Sequence, residues 1–275
     1  MRMTVSSFLG ALLLVCGAGV AHATQYPAPP ATDTLIYVNF LQNPAATPHP
    51  VPPDTVWGVA GIITGFDPIA TGFAIYIQNN AQDGGGAQAP WTGLDVFTGG
   101  NNYIGLFTPP LALGDSIVCY GRMEEFQGEG EMVSLLGAFG NPNTVVRRVS
   151  TGRPIPPFKV RTVNQLQELP TNLGAEQWEG CLVKVNGPIR VARTSLTGGL
   201  GANNSFLGVD NLVCPPGSLG PCDSLFVDGN TLASPAIAPP AVASIVGAVQ
   251  GIYNQRTRGY RIQLRDGQDL IDNSP

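Results

Sequence analysis

Tyr253, Arg256, Arg258, Tyr260, Arg261, Gln263 and Arg265 crowd into one short span near the C-terminal end of the sequence. Read as a strand, the span alternates its side chains, so Arg261, Gln263 and Arg265 point one way while Tyr260, Ile262 and Leu264 point the other. Cations that neutralise phosphates, beside rings on which bases stack, are what single-stranded nucleic acid requires of a protein. The expectation is an exposed polar face over an apolar one, with these residues as candidate ligand contacts. A plainer reading is a solvated strand face whose charges discourage edge-to-edge aggregation. It is favoured, because four arginines are a small electrostatic footprint on a net acidic chain.

Other clusters carry weaker chemistry. Glu124, Glu125, Glu129 and Glu131 could gather around Ca²⁺, which takes several oxygen ligands, but their spacing fits no loop motif and a solvated turn is the better reading. Trp57, Trp91 and Trp178 read as buried rings, and Phe126 as a plug of an apolar interior. Trp91 follows the glycine-rich 83–86 loop, so exposure for sugar stacking is its alternative. Catalysis finds little support. The one histidine beyond the N-terminal leader, His49, sits among prolines, and neither Gly-x-Ser-x-Gly nor Cys-x-x-Cys occurs, so neither a Ser-His-Asp set nor a metal site is expected. Acidic residues close in sequence are very weak evidence for glycoside hydrolysis. The expectation is a protein without enzymatic activity, metal or cofactor.

The elements that would position these residues repeat. The stretch 114–135 reads as strand, glycine-marked turn and strand, and an altered copy returns at 243–264; placing Gly247 on Gly121 keeps the apolar pattern before the turn. Charges change sign, from the four glutamates to Arg256, Arg258, Arg261 and Arg265. Alternation and turn residues predict strands at 56–64, 72–79, 94–97, 116–123 and 131–135, then at 181–185, 205–209, 224–227, 243–249 and 259–264. Two related β-domains follow, at 54–150 (acidic) and 179–272 (more basic). Between them, 151–178 is a linker with a short helix, Thr162 as its N-cap, Leu166 inward and Pro170 as its stop. Ahead of them, 24–53 is a proline-rich lead-in holding one β-forming run over 35–41. That run is expected to pair with the edge of the first domain; adding to a neighbouring molecule's sheet, a self-association through 35–42, is the less favoured alternative.

At 275 residues the chain has room for two cores. Charged residues make up only 12%, against 35 Gly and 25 Pro, which describes a loop-rich β-protein and excludes wholesale disorder. The formal charge of −5 is uneven: 54–151 holds three Arg against nine Asp and Glu, whereas 152–275 holds ten Lys and Arg against nine. Any polyanion site therefore belongs to the second half. Residues 1–23 carry a basic start at Arg2, an apolar stretch over 8–20 and a small-residue cleavage site, so secretion to the periplasm or outside the cell is expected, with Thr24 first in the product. Lipidation at Cys16 is disfavoured, since Val15 stands where a small residue is needed. No later segment is long and apolar enough to span a bilayer. Cys214 and Cys222 bracket a Pro-Pro-Gly loop and are expected to pair; Cys119 and Cys181 fit either two buried thiols or a bridge between domains.

VWGVAGIITG at 56–65, GFAIYIQN at 72–79, DVFTGG at 95–100 and GDSIVCYGRMEEFQGEGEM at 114–132 resemble the OB-fold modules of secreted bacterial nucleases and related cell-surface proteins. The second half resembles their companion module more loosely, and the resemblance covers 34–272. It implies an all-β chain of two tandem five-stranded OB-fold (Greek-key) barrels joined by the helix-bearing linker. Many relatives continue into a nuclease or sorting domain, and this sequence stops three residues after Asp272, so the nuclease activity is not carried over. OB barrels often bind oligonucleotides or oligosaccharides. The expected function is binding of an extended polymer, single-stranded nucleic acid through the second domain or polysaccharide; a structural or cell-surface assembly role and a carbohydrate-binding module are the alternatives.

Overall fold

The computed structural model describes residues 35–46, 50, 55–67, 74–80, 86–98, 107–126, 129–134, 146–167, 174–194, 204–212, 214, 216, 222–229, 236–256 and 259–272. The leader at 1–23, His49, Pro170 and Arg258 lie outside them. The described chain is mostly strand. β1 (Ile36–Tyr37), β2 (Thr55–Asp67), β3 (Ala74–Gln78), β4 (Gly93–Phe97), β5 (Ser116–Phe126), β6 (Glu129–Ser134) and β7 (Val146–Ser150) form one sheet. β8 (Lys159–Arg161), β9 (Leu182–Thr194), β10 (Ser205–Asp210), β11 (Ser224–Asp228), β12 (Ile245–Arg256), β13 (Gly259–Gln263) and β14 (Leu270–Ile271) form the other. The predicted strands all reappear, and β7, β8 and β14 are additions to the ten.

The second sheet closes into a five-stranded barrel, β9–β10–β11–β13–β12 and back to β9. Closure depends on β9, whose 13 residues serve two neighbours. Leu182 to Arg190 pair with β12 and Ile189 to Thr194 with β10. Register shifts along both ladders give the bend that lets one strand turn between partners. In the first sheet β2 divides in the same manner between β5 and β3. β4 joins β6 there in parallel, as β11 joins β13 in the second sheet. Each sheet has its own apolar core, one around Ile63, Ile75, Leu94, Cys119 and Met132, the other around Val183, Phe206, Val227, Val249 and Ile262.

The hairpins correct the register of the repeat. Phe126 opposite Glu129 closes the first and Arg256 opposite Gly259 the second. Five residues back from each closing pair stand Gly121 and Gly251, so Gly251, not Gly247, is the counterpart of Gly121. A slip of four residues preserves strand alternation, which has period two, so the apolar pattern could not reveal it.

The lead-in and the linker begin alike. β1 runs parallel to β2 and β8 parallel to β9, each followed by one helical turn: α1 (Val38–Gln42) and α2 (Val163–Leu166). The 35–41 run thus pairs within its own sheet, but only at Ile36 and Tyr37. The rest is helical because Val38 and Leu41, 0% and 1% exposed, both enter the first core. Positions three apart share a helix face, whereas a strand would set them on opposite faces. α2 carries the expected Thr162 cap as a capping box with Gln165, and Leu166 is buried. Cys214 and Cys222 form a disulfide, and Cys119 and Cys181 are separate buried thiols. No described helix is long and apolar enough to cross a membrane.

The two sheets meet across a buried junction. Tyr76, Leu182 and Ile252 form a small core with Phe158 packed against it. Gly93 and Gly180 bring backbone onto backbone: a Cβ on Gly93 would lie 2.1 Å from the Gly180 carbonyl carbon, and Gly180 has φ +69°. The Leu182 N–H donates to Gln78 Oε1 at 2.7 Å and the Trp91 N–H to the Gln177 carbonyl at 2.7 Å. Gln88 caps β8 with its side chain, accepting from the Val160 N–H at 2.9 Å and donating to the Phe158 carbonyl at 3.0 Å. These are the bonds a neighbouring strand would make, so the amide blunts an open edge.

Candidate binding face

The arginine-rich hairpin lies in this junction. Alternation is as expected: Ile262 and Leu264 enter the second core, with Tyr260 packed against it. The opposite face, expected to be open to solvent, is covered, with Arg261 6% and Gln263 5% exposed. Arg261 Nε donates to Asn254 Oδ1 at 3.0 Å, and its Nη1 pairs with Asp228 Oδ2. Asn254 Nδ2 donates to Tyr76 Oη at 2.8 Å and to Gln263 Oε1 at 2.9 Å, while Gln263 Nε2 reaches Asp67 Oδ2 at 3.1 Å. A cation buried this way must be paired; the second sheet supplies its carboxylate and amide partners, and Tyr76 and Asp67 of the first sheet hold the neighbouring amides. Arg265 grips Asp269 through Nε and Nη2, at 3.0 and 2.9 Å, and lies over the Phe158 ring.

The tyrosines are structural as well. Tyr253 is fully buried, stacks on Tyr260 with centroids 5.1 Å apart, and its hydroxyl donates to the Leu166 carbonyl. Arg256 ends β12 and Arg258 lies outside the described residues. Of the other rings singled out, Trp178 is buried in the second core with the Arg161 guanidinium 3.4 Å from its centroid. Trp91 is half-buried at φ 61°.

The glutamates divide. Glu131 is 5% exposed, which corrects its expected place on a solvated turn. It is the hairpin counterpart of Arg261, so the reversal of sign between the copies is buried at this position. Glu124 and Glu125 instead line a cavity of about 210 Å³ with Glu176 and Glu179 from the segment ahead of β9. Glu179 Oε2 accepts from the Gly130 N–H at 3.0 Å, and Arg122 pairs with Glu124. Burial, and then the nearby Glu125 charge, push the Glu176 carboxyl above its ordinary value. Among the described residues no group of three or more His, Cys, Asp or Glu is disposed to hold a metal ion.

What remains open is a row that sequence reading did not single out. Arg193 on β9 stands opposite Leu207 on β10, and Leu207 opposite Phe226 on β11. Directly opposed residues share a sheet face. Arg193 is exposed, Leu207 and Phe226 are half-buried, and none of the three belongs to the second core. The corresponding row of the first sheet is Tyr76, Asp95, Glu131 and Glu124. Tyr76, Asp95 and Glu131 are buried, and the Tyr76 hydroxyl is held by Asn254. The strands 205–209 and 224–227 were legible, but which side chains faced each other required the register. No family model matches this chain, nor does any curated protein.

Proposed function

We propose that this chain is an exported, non-enzymatic binding protein of two OB-fold barrels, which contacts an extended polymer, single-stranded nucleic acid, through the second barrel. Support for OB-type topology in both sheets comes from the shared strand order and from the parallel pairing of third and fifth barrel strands. OB barrels present ligands to the face of strands two and three and to the loops between strands one and two and strands four and five. In the second barrel that face carries Arg193, Leu207 and Phe226, and Arg256 ends the fourth strand. The observation that carries the reading is this row: a ring on which a base can stack, an aliphatic neighbour and a cation for phosphate. Tyr253, Tyr260, Arg261, Gln263 and Arg265 then serve as supports that hold the hairpin. The equivalent face of the first barrel is acidic and packed against the second, which favours a single binding face.

The test is titration of the full secreted chain with labelled single-stranded DNA at low and moderate salt. Phe226→Ala is expected to weaken binding about tenfold or more, in line with ~1–3 kcal/mol per stacked base. Arg193→Glu is expected to weaken it and flatten its salt dependence by roughly one phosphate's worth. Unchanged titrations for both variants would remove the nucleic-acid reading. Binding of a polysaccharide that depends on Phe226 and ignores salt would replace it with the carbohydrate one. The rigid junction supports the assembly reading as second choice, since buried bonds between sheets suit a stiff spacer.

A further inference from the structure

One pole of the second barrel exposes branched aliphatic side chains on pinned turns. Leu212 is 75% exposed, Val242 57% and Ile245 41%. They sit on two segments, one holding Leu212 and the other Val242 and Ile245, that converge on 188–191 of β9. The Asn211 N–H donates to the Pro188 carbonyl at 3.0 Å, Ile245 stands opposite Arg190, and the Ala243 N–H donates to the Val191 carbonyl at 2.8 Å. Neither tip is a loose loop. Asp210 caps the first turn through its carboxylate to the Leu212 N–H at 2.8 Å and its carbonyl to the Cys214 N–H at 2.8 Å, and the Cys214–Cys222 disulfide follows. In the second turn Ser244 closes back on the Ala241 carbonyl, and Ala243 takes φ 69°. An alanine held in the left-handed region costs energy that its surroundings must offset. A side chain fixed before contact loses less entropy on binding.

We propose that this pole is the contact face for a second copy of the chain, related by a two-fold axis. No Asp, Glu, Lys or Arg occurs between Asp228 and Arg256, so the turn bearing Val242 and the start of β12 are uncharged. Arg190, which stands opposite Ile245, is half-buried and its Nη2 is turned to the Cys214 carbonyl at 3.1 Å. Asp210 is committed to the turn. In a two-fold contact a patch meets its own image, so a charged patch would repel itself and an uncharged aliphatic one is self-complementary. Self-repulsion between two copies is concentrated in 54–151, with three Arg against nine Asp and Glu, while 152–275 is close to neutral, which leaves an uncharged pole of the second barrel as the cheapest place of approach. Exposed alanines at 236, 238, 241 and 243 let two backbones come close, and no aromatic ring marks the tips, as membrane-seating loops would favour.

Sedimentation of the full secreted chain over a wide concentration range tests this. The expected result is reversible doubling of mass that does not weaken with added salt. Leu212→Asp and Val242→Asp should each weaken it at least tenfold, with unchanged circular dichroism. A Val242→Cys variant should form an intermolecular disulfide under mild oxidation. A monomer at every concentration overturns the proposal. So does a dimer that tolerates both aspartates, or co-sedimentation of monomers with phosphatidylcholine–phosphatidylglycerol vesicles that Leu212→Asp abolishes. The DNA titration reads a different face, so either proposal can fail without the other.

Discussion

Single residues here are tuned mostly by burial. The Cys119 thiol lies wholly inside the first core, and burial pushes its pKa up to about 12 from an ordinary 9.0. Cys181 moves the same way, for the same first cause, with the Thr92 hydrogen bond opposing. An unfolded thiol gives up its proton near 9 while the folded Cys119 keeps it, so above that pH the unfolded chain binds fewer protons. The stabilising term is whole below about pH 9 and disappears as pH rises towards 12. Burial holds the Lys159 ammonium below its usual 10.5. The folded chain releases that proton first, so this group makes stability rise with pH between its folded and unfolded values, against the thiols. The urea midpoint is expected to fall as pH rises above about 9, and Cys119→Ala to flatten part of that fall. An identical pH profile in wild type and variant would refute a buried thiol at this position.

Secondary-structure elements in this chain are short and depend on their ends. α2 is one turn, too brief to persist by propensity. Its capping box satisfies backbone donors while Val163 and Leu166 anchor it below. The Leu166 carbonyl then receives the Tyr253 hydroxyl, so the turn supports the floor of the arginine-rich hairpin. Thr162→Ala is expected to cost about 1 kcal/mol in urea unfolding, and Thr162→Asn to recover most of it. Equal stability of the alanine variant would mean that packing alone holds the turn. β8 illustrates the management of edges: three residues long, with Gln88 set across it as a substitute strand.

Across the whole molecule, the junction determines which surfaces are available. Arg261→Ala would leave Asp228, 1% exposed, without its guanidinium partner, at a cost of about 3–5 kcal/mol. Arg193→Ala, at an exposed position of β9, is expected to change stability by roughly 0.5 kcal/mol or less. Chemical denaturation of the two variants side by side checks the contrast, and near-equal stabilities would show that the junction does not rely on this network. The same geometry governs the design of binding experiments. Reversing Arg261 or Arg265 to Glu would set a carboxylate against Asp228 or Asp269, and a loss of binding would then report a broken junction. Arg193, Phe226, Arg256 and Arg258 are the positions to vary.

Local pattern determined a good deal on its own. Period-two alternation and glycine-marked turns placed ten strands close to where they stand, Thr162 announced a capped turn, and the Pro-Pro-Gly loop between its cysteines foretold the Cys214–Cys222 bridge. Each of these is written in neighbours along the chain. Tertiary structure decided the rest. Alternation separates Arg261 and Gln263 from Ile262 and Leu264, but it cannot say that Asp67, 196 residues from Gln263, will cover the polar side. It cannot fix a repeat register against a slip of four, or tell that Val38 and Leu41 enter one core together and so require a helical turn. Nor can it bring Arg193, Leu207 and Phe226 into one row. Burial and cross-strand pairing are contacts between distant segments, set by how two sheets fit, and a local pattern carries no record of what will be packed against it.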